Sequence, residues 1–231
     1  MSQSGSGGNK DAGASWESVL QRGQYDLTEP DPALVSRILA LRKSDGGAYL
    51  DLGCGLGRYL APVASYGGLA VGLDCSETAV RASRVRSGVY GHLVRGSMTD
   101  LPFPDGVFGT VLAWRAIYLQ DMSRIRRTIS EVRRVLKPGG HFIGSARSVE
   151  NALFYVGKAV GKEIEPGTFY YENDEFPGVT YHFFTEDELF SLLSGFSIQD
   201  IHSKNLTHTQ FTIDRQKHPN AFLVFLAKKS L

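Results

Sequence analysis

Short apolar runs alternate along most of the chain with segments in which apolar residues recur every three or four positions. The runs at 48–52, 68–74, 107–114 and 141–147 are strand-like, and the segments between them have helical spacing. Almost continuously apolar strands that alternate with helices are typical of a parallel sheet covered on both faces. The pattern therefore predicts an α/β fold.

Capping residues mark several of the predicted helix ends. Asp31, followed by proline, predicts the start of a helix that Gly46 ends. Thr185, with a glutamate three residues later, is a capping-box sequence before a late helix. After a helix over about 123–136, the Lys-Pro-Gly-Gly sequence at 137–140 predicts a break before the next strand.

Two segments depart from the alternation. Residues 1–14 are rich in Gly and Ser with little to bury, so we expect a disordered tail before a single domain over 15–231. Residues 148–182 are rich in Gly, Pro, Tyr and Phe and interrupt the pattern before the last helix and strands. We expect an insertion there.

Composition excludes several classes of protein. The net charge of +1 over 231 residues offers no strongly basic surface, which argues against a nucleic-acid partner. No apolar run approaches the roughly 20 residues of a membrane span, and the N-terminus lacks the apolar core of a signal peptide, so we expect a cytoplasmic protein without a membrane partner. Cys54 and Cys75 are too few for a disulfide framework or a cysteine-built zinc site, and the histidines lack metal-ligand spacing, so we expect no metal.

A glycine-rich turn, DLGCGLG at 51–57, follows the first predicted strand. Such glycines let the backbone turn sharply and let a ligand approach the helix N–H groups beyond them. Because Arg58 stands three residues after Gly55, the sequence lacks the third glycine of a dinucleotide fingerprint, and no P-loop lysine follows. Asp74 ends the next strand about 20 residues later, where a carboxylate can accept the ribose hydroxyls of an adenosine ligand. The alternatives are a tight turn without a ligand and a helix-start role for Asp74.

Four segments in order resemble the class I S-adenosylmethionine-dependent methyltransferases, in particular the small-molecule, type 11 branch. Between about residues 47 and 147 they are YLDLGCGLGRY, VGLDCSETAV, GSMTDLPFPDGVFGTVLAW and EVRRVLKPGGHFI. The resemblance implies a doubly wound, Rossmann-like sheet of seven strands, mostly parallel, with the last strand antiparallel. It also implies S-adenosylmethionine as cofactor, S-adenosylhomocysteine as product and a small-molecule methyl acceptor.

The resemblance also assigns cofactor-binding positions. Asp51, Gly53 and Gly55 would line the methionine part, Asp74 would bind ribose, and Cys75 would lie beside the adenine. The full set of expected cofactor-binding residues is Asp51, Gly53, Cys54, Gly55, Asp74, Cys75, Ser97, Met98, Trp114 and Arg115.

The sequence departs from the family at three places. Ser97 stands where the family often has an acidic residue for the adenine amino group, and Gly109 replaces a common aspartate. Both changes predict weaker cofactor binding. A histidine expected after the fourth strand is missing, which leaves the general base unassigned. The candidates for a catalytic role are Tyr118, His182, Tyr170, Tyr171 and Arg115, with packing in the core as the alternative for each aromatic residue.

The remaining expectations concern what covers the site. The resemblance implies that residues 148–182 form an aromatic lid over the acceptor, and Trp16 and Tyr25 are candidates to close over the cofactor. The arginines within 124–134 fit a solvated helix face better than an RNA track. The alternatives are a methyltransferase acting on protein or RNA, which requires a continuous basic surface, and a non-catalytic regulatory subunit that binds the cofactor or its product.

Overall fold

The computed structural model describes residues 12–22, 29–87, 92–172, 177–213 and 216–231. Its helices are α1 (Ala12–Gln21), α2 (Pro32–Asp45), α3 (Leu60–Ser65), α4 (Glu77–Ser87), α5 (Met122–Val135), α6 (Ala152–Val160) and α7 (Glu186–Leu192). Its strands are β1 (Ala48–Leu52), β2 (Ala70–Asp74), β3 (His92–Arg95), β4 (Phe108–Ala113), β5 (Leu136–Arg147), β6 (Lys162–Glu165), β7 (Thr168–Glu172), β8 (Pro177–His182), β9 (Ser197–Ile213) and β10 (Gln216–Lys228).

Seven strands form the main sheet in the order β3-β2-β1-β4-β5-β10-β9. The pairs from β3 to β5 are parallel, and β10 runs antiparallel to both of its neighbours. The expected α/β fold, with a mostly parallel seven-stranded sheet and an antiparallel last strand, is confirmed. In the part of the chain that the structure describes, no helix is long and apolar enough to cross a membrane.

Alternating side chains of the central strands divide the core into two layers, one on each face of the sheet. In β1, Leu50 belongs to the layer that α5 covers, whereas Tyr49 belongs to the layer that α2 and α3 cover. In β4, Val111 and Leu112 divide in the same way. Successive strand residues point to opposite faces, so a strand buried on both faces must be apolar throughout.

Two predicted helix starts are confirmed by their caps, and two predicted boundaries are wrong. The Asp31 side chain accepts hydrogen bonds at the start of α2, and Thr185 accepts one from the Glu188 amide at the start of α7. Helix α5 ends at Val135, just before the Lys-Pro-Gly-Gly sequence as predicted, but β5 begins at Leu136 and not at 141. Helix α1 begins at Ala12, inside the segment expected to be a tail, and residues 1–11 lie outside the described residues.

The predicted insertion contains α6 and a separate antiparallel sheet of three strands, in the order β6-β7-β8. Its aromatic side chains Phe169, Tyr171 and Tyr181 are buried and join the core layer on the α5 face of the main sheet. Strand β8 also packs against α1. The insertion therefore extends the core of the domain.

Gly109 has a packing role at the end of the sheet opposite the carboxyl ends of the parallel strands. It lies near the start of β4, where a Cβ atom would collide with the Gly46 carbonyl oxygen. The same carbonyl accepts a hydrogen bond of 2.9 Å from Lys137 Nζ. An aspartate at 109 is therefore excluded by the close approach of this loop, and its absence does not alter the cavity described below.

Candidate functional site

Loops at the carboxyl ends of four parallel strands surround a cavity of about 220 Å³. The lining includes Gly53 and Gly55 after β1, Asp74 at the end of β2, residues 96–99 after β3 and residues 114–116 after β4. Open parallel sheets bind ligands at this edge, because the loops there diverge and the helix N-termini face the opening. The cavity is therefore the candidate functional site.

The three glycines of the turn after β1 have different roles. All adopt positive φ angles, 72° at Gly53, 51° at Gly55 and 78° at Gly57, which side chains rarely tolerate. A Cβ atom on Gly57 would lie 2.5 Å from Ser83 Oγ, so this glycine permits close packing of the turn on α4. A Cβ on Gly55 would meet nothing within 4 Å, since this residue borders open space in the cavity. Gly55 is therefore the position at which a ligand can approach the backbone.

Asp74 links the glycine turn to the start of α4. Its Oδ2 accepts a hydrogen bond of 2.9 Å from the Gly55 amide, and its Oδ1 accepts one of 2.9 Å from the Ser76 amide. Burial raises the pKa of this carboxyl, and the two amides oppose that rise. Each oxygen retains a lone pair beyond these bonds, so the carboxylate can also accept two ligand hydroxyls.

A second cavity, of about 30 Å³, adjoins the first at Gly53, Gly55 and Trp114. It is lined by Asp51 and Arg58, among others. Asp51 is buried, and its Oδ2 has no hydrogen-bond partner. Burial raises the pKa of Asp51 to about 7, although the nearby Arg58 charge opposes the rise. An unpartnered buried carboxylate oxygen is costly, so this small cavity fits a ligand that brings a positive or hydrogen-bonding group to it.

Helix α1 covers the larger cavity, and Glu17 fastens it in place. Trp16 and Leu20 of α1 line the cavity. The Glu17 carboxylate accepts hydrogen bonds from Ser76 Oγ at 2.6 Å, from the Thr78 amide at 3.3 Å and from Thr78 Oγ1. Because of these bonds, first the one from Ser76, the pKa of Glu17 falls to about 2. The structure thus places Trp16 over the cavity as predicted, while Tyr25 lies outside the described residues.

The loop after β3 contributes a polar and an apolar side chain. Ser97 is exposed, and its Oγ lies 2.7 Å from Thr99 Oγ1. Met98 lines the cavity, and its sulfur accepts a hydrogen bond of 3.3 Å from the Gln120 side-chain amide. Gln120 also donates to Thr128 Oγ1 at 2.9 Å, which fixes the amide against α5. This wall therefore pairs the Met98 thioether with hydroxyl groups at positions 97 and 99.

Three of the candidates for a catalytic role are buried and do not line either cavity. Tyr118 and Tyr171 are buried, and the Tyr171 hydroxyl donates to the Leu153 carbonyl at 2.9 Å. His182 is buried too, with Nδ1 2.6 Å from Thr168 Oγ1 and Nε2 3.2 Å from Glu188 Oε2. Burial lowers the pKa of His182 and raises that of Tyr171. The residues found to line the two cavities include neither these three nor Tyr170, so a catalytic role for any of the four is still a prediction.

Arg115 is the exception, because it lines the larger cavity. It has a φ of 60°, which is uncommon for a residue with a side chain, and its amide donates to Ser145 Oγ at 2.9 Å. Its guanidinium carbon lies 5.3 Å from the centre of the Phe222 ring. Strained backbone of this kind is concentrated at functional sites.

All ten expected cofactor-binding residues line one of the two cavities. Asp51 and Cys54 line the smaller one, while Gly53, Gly55 and Trp114 border both. The remaining members of the set, Asp74, Cys75, Ser97, Met98 and Arg115, line the larger cavity.

The residue roles that sequence analysis missed are those of Arg58, Glu17, Leu20 and Gln120. A cation directly after the glycine turn was a usable signal for Arg58. Nothing in the local sequence indicates the other three, because Glu17 bonds to Ser76, 59 positions away, and Leu20 and Gln120 line a cavity formed by distant strands. Within the described ranges, no group of three or more His, Cys, Asp or Glu residues could hold a metal ion. The described residues that line the two cavities include none from 148–182, so a lid over the acceptor is still a prediction.

Comparison with known proteins gives this geometry a family context. Residues 50–144, from β1 to β5, match the model of a methyltransferase domain family. This segment is similar to methyltransferase domains. It contains the loops after β1, β2, β3 and β4 that line the larger cavity.

Similar proteins include enzymes named for small-molecule substrates. A demethylmenaquinone methyltransferase of Symbiobacterium thermophilum is 37% identical over 107 residues, which cover 42% of this chain and 41% of that protein. A fatty-acid O-methyltransferase of Mycolicibacterium smegmatis is 37% identical over 106 residues, which cover 43% of this chain and 36% of that protein. The similarity to these relatives thus spans less than half of their length.

Structural similarity extends beyond the segment that matches the family model. The 1,6-didemethyltoxoflavin-N1-methyltransferase of Burkholderia thailandensis, solved with 1,6-didemethyltoxoflavin and S-adenosylhomocysteine, superposes with a TM-score of 0.67 at 21% identity. The superposition covers 94% of this chain and 87% of that one. At this identity the match shows the shared fold, including the elements after residue 144.

Proposed function

We propose that the chain transfers a methyl group from S-adenosylmethionine to a small-molecule acceptor. The observation that carries this proposal is the unpartnered buried oxygen of Asp51 beside the Asp74 cavity, within a segment similar to methyltransferase domains. A nucleoside that carries a free amino-acid group fits this arrangement, because it brings an ammonium group to one carboxylate and ribose hydroxyls to the other.

The residues present fit the cofactor part by part. Asp74 would accept the ribose hydroxyls while its bonds to the Gly55 and Ser76 amides hold it in position. Asp51 would accept the ammonium group, and Arg58 in the same small cavity would pair with the carboxylate. Met98 would lie against the adenine ring.

When bound, the cofactor supplies a methyl group already activated on a sulfonium. The work of the chain is then to align the acceptor and to exclude water. Helix α1 supports the second task, because Trp16 and Leu20 cover the cavity. Among the described residues that line the larger cavity there is no histidine or tyrosine, and we infer an acceptor whose nucleophilic atom needs no strong base.

The arginines of α5 support a small-molecule acceptor over RNA. Arg134 donates to Glu131 and Asp105, each at 2.8 Å, and Arg127 donates to the Thr99 carbonyl at 2.7 Å. These side chains hold the loops after β3 to the helix, so they do not form a free basic track. Location in the cytoplasm is still a prediction from the sequence.

Transfer of label from S-[methyl-³H]adenosylmethionine tests the proposal. Incubation with a panel of phenols, amines, thiols and carboxylic acids is expected to label at least one small molecule. Asp74→Asn should abolish labelling, whereas Asp187→Asn, at an exposed carboxylate of α7, should not. Label appearing only in protein or RNA, or no label from a chain that binds the cofactor, would contradict the proposal.

A further inference from the structure

Arg147 is a buried arginine at the carboxyl end of β5, with 6% of its surface exposed. Its guanidinium carbon lies 5.1 Å from the ring centre of Tyr118, 5.2 Å from that of Tyr181 and 5.0 Å from that of Phe222. Aromatic faces attract a cation, but they do not satisfy its N–H donors. The guanidinium therefore still requires hydrogen-bond acceptors for its N–H groups.

Only one nitrogen of the guanidinium, Nη1, makes hydrogen bonds to described residues. Among the described residues, the bonds of Arg147 are made by Nη1, to Asn151 Oδ1 at 3.1 Å and Asn220 Oδ1 at 3.5 Å. Both acceptors are neutral amides. Nε is buried without a partner. The edge formed by Nε and Nη2 is the one that receives a carboxylate through two parallel hydrogen bonds, and it is unused here.

Arg147 itself lines neither cavity, but the residues around it connect it to the larger one. Phe222 is the register partner of Arg147 across β5 and β10, and the guanidinium of the cavity-lining Arg115 approaches the same ring. Tyr118 belongs to the loop after β4, in which Ala116 and Gln120 line the cavity. Two arginines thus flank one aromatic ring beside the cavity.

We propose that the methyl acceptor is a carboxylate-bearing small molecule whose carboxylate binds to the Nε–Nη2 edge of Arg147. A buried cation without a counter-ion is costly, and a ligand carboxylate compensates that cost in the bound state. The surrounding rings fit an apolar or aromatic body next to the carboxylate. This inference rests on the proposed function, because it names the substrate class for the same site.

Paired carboxylic acids and primary amides with the same body test this inference. Pairs with aromatic, aliphatic and amino-acid bodies are screened by thermal shift in the presence of S-adenosylhomocysteine, and the best pair is titrated by calorimetry. We expect the acid to bind about 10 to 100 times more tightly than its amide, the range for bidentate hydrogen bonds to a charged group.

Three variants test whether Arg147 is responsible for the preference for the acid. Arg147→Met should abolish the preference for the acid, and Arg147→Lys, which keeps the charge but loses the fork, should retain only part of it. Arg126→Met removes an exposed arginine of α5 and should behave as the wild type. Thermal unfolding of each variant shows whether it is folded, and the lysine variant serves if the methionine variant is not.

Two results would overturn the inference: no acid preferred over its amide by a chain that binds S-adenosylhomocysteine, or a preference that persists in both Arg147 variants. The same pairs are titrated without the nucleoside. A chain that binds no S-adenosylhomocysteine but still prefers acids through Arg147 contradicts the proposed function alone.

Discussion

Removing the Glu17 carboxylate tests whether α1 is fastened over the cavity by a few identifiable hydrogen bonds. In Glu17→Ala the bonds to Ser76 Oγ, the Thr78 amide and Thr78 Oγ1 are lost. The pKa of Glu17 is lowered from 4.5 to about 2. Taken in full, a shift of this size corresponds to about 3 kcal/mol in favour of the charged form.

That value must be discounted, because Glu17 is only partly buried and solvent screens its charge. About 1 kcal/mol is a realistic loss in the free energy of docking α1, which is a factor of about five in the docking equilibrium. Since the pKa is lowered, the contribution is complete above pH 4.5 and is lost as the pH falls toward 2, so neutral pH measures all of it.

Hydrogen exchange of the α1 amides at neutral pH measures this equilibrium. We expect Glu17→Ala to reduce protection in α1 about fivefold while the β1 and β4 amides are unaffected. Glu29→Ala is the matched control, because this carboxylate is 90% exposed and lies 3.9 Å from Arg86. Unchanged protection of α1 in Glu17→Ala would refute the reasoning.

Two further predictions concern the turn after β1 and the carboxylate beneath it. Gly57→Ala should lower the free energy of unfolding by about 2 kcal/mol or more in urea titrations, because its Cβ would collide with Ser83 Oγ at a positive φ. Gly55→Ala should lower it by about 1 kcal/mol and chiefly weaken ligand binding. Equal losses of stability in the two variants would contradict the assigned roles. The pKa of Asp51, about 7, predicts that affinity for S-adenosylhomocysteine rises roughly eightfold from about pH 6 to about pH 7.5 as the carboxylate ionises. Calorimetry of Asp51→Asn should show no such rise. A wild-type affinity that does not change with pH would count against ammonium binding at Asp51.

The sequence predicted what local chemistry determines. The apolar strands, the Asp31 and Thr185 caps and the glycine turn followed by Asp74 each depend on residues close together in the chain, and the structure has them at the expected positions. The methyltransferase resemblance and the fold it implied are confirmed by the family match and the sheet order.

What could not be predicted depends on distant partners. Glu17 and Ser76 are 59 positions apart, and nothing near either residue indicates the bond between them. Tyr118 and His182 carry chemistry that suits catalysis, and only the packing of β8 and the insertion against the main sheet shows that they are buried. The sequence alone suggested that Gly109 weakens cofactor binding, whereas the structure shows that the Gly46 carbonyl leaves no room for a side chain at this position.

Ligand binding at Asp74 tests the central claim most directly. S-Adenosylhomocysteine and its 2′-deoxyribose analogue are titrated calorimetrically into the wild type and into Asp74→Asn. We expect the wild type to prefer the hydroxylated ligand by about tenfold, the value of one hydrogen bond to a charged group, and the variant to bind more weakly and without that preference. A folded wild type that binds neither ligand, or a preference that Asp74→Asn leaves intact, would contradict the account.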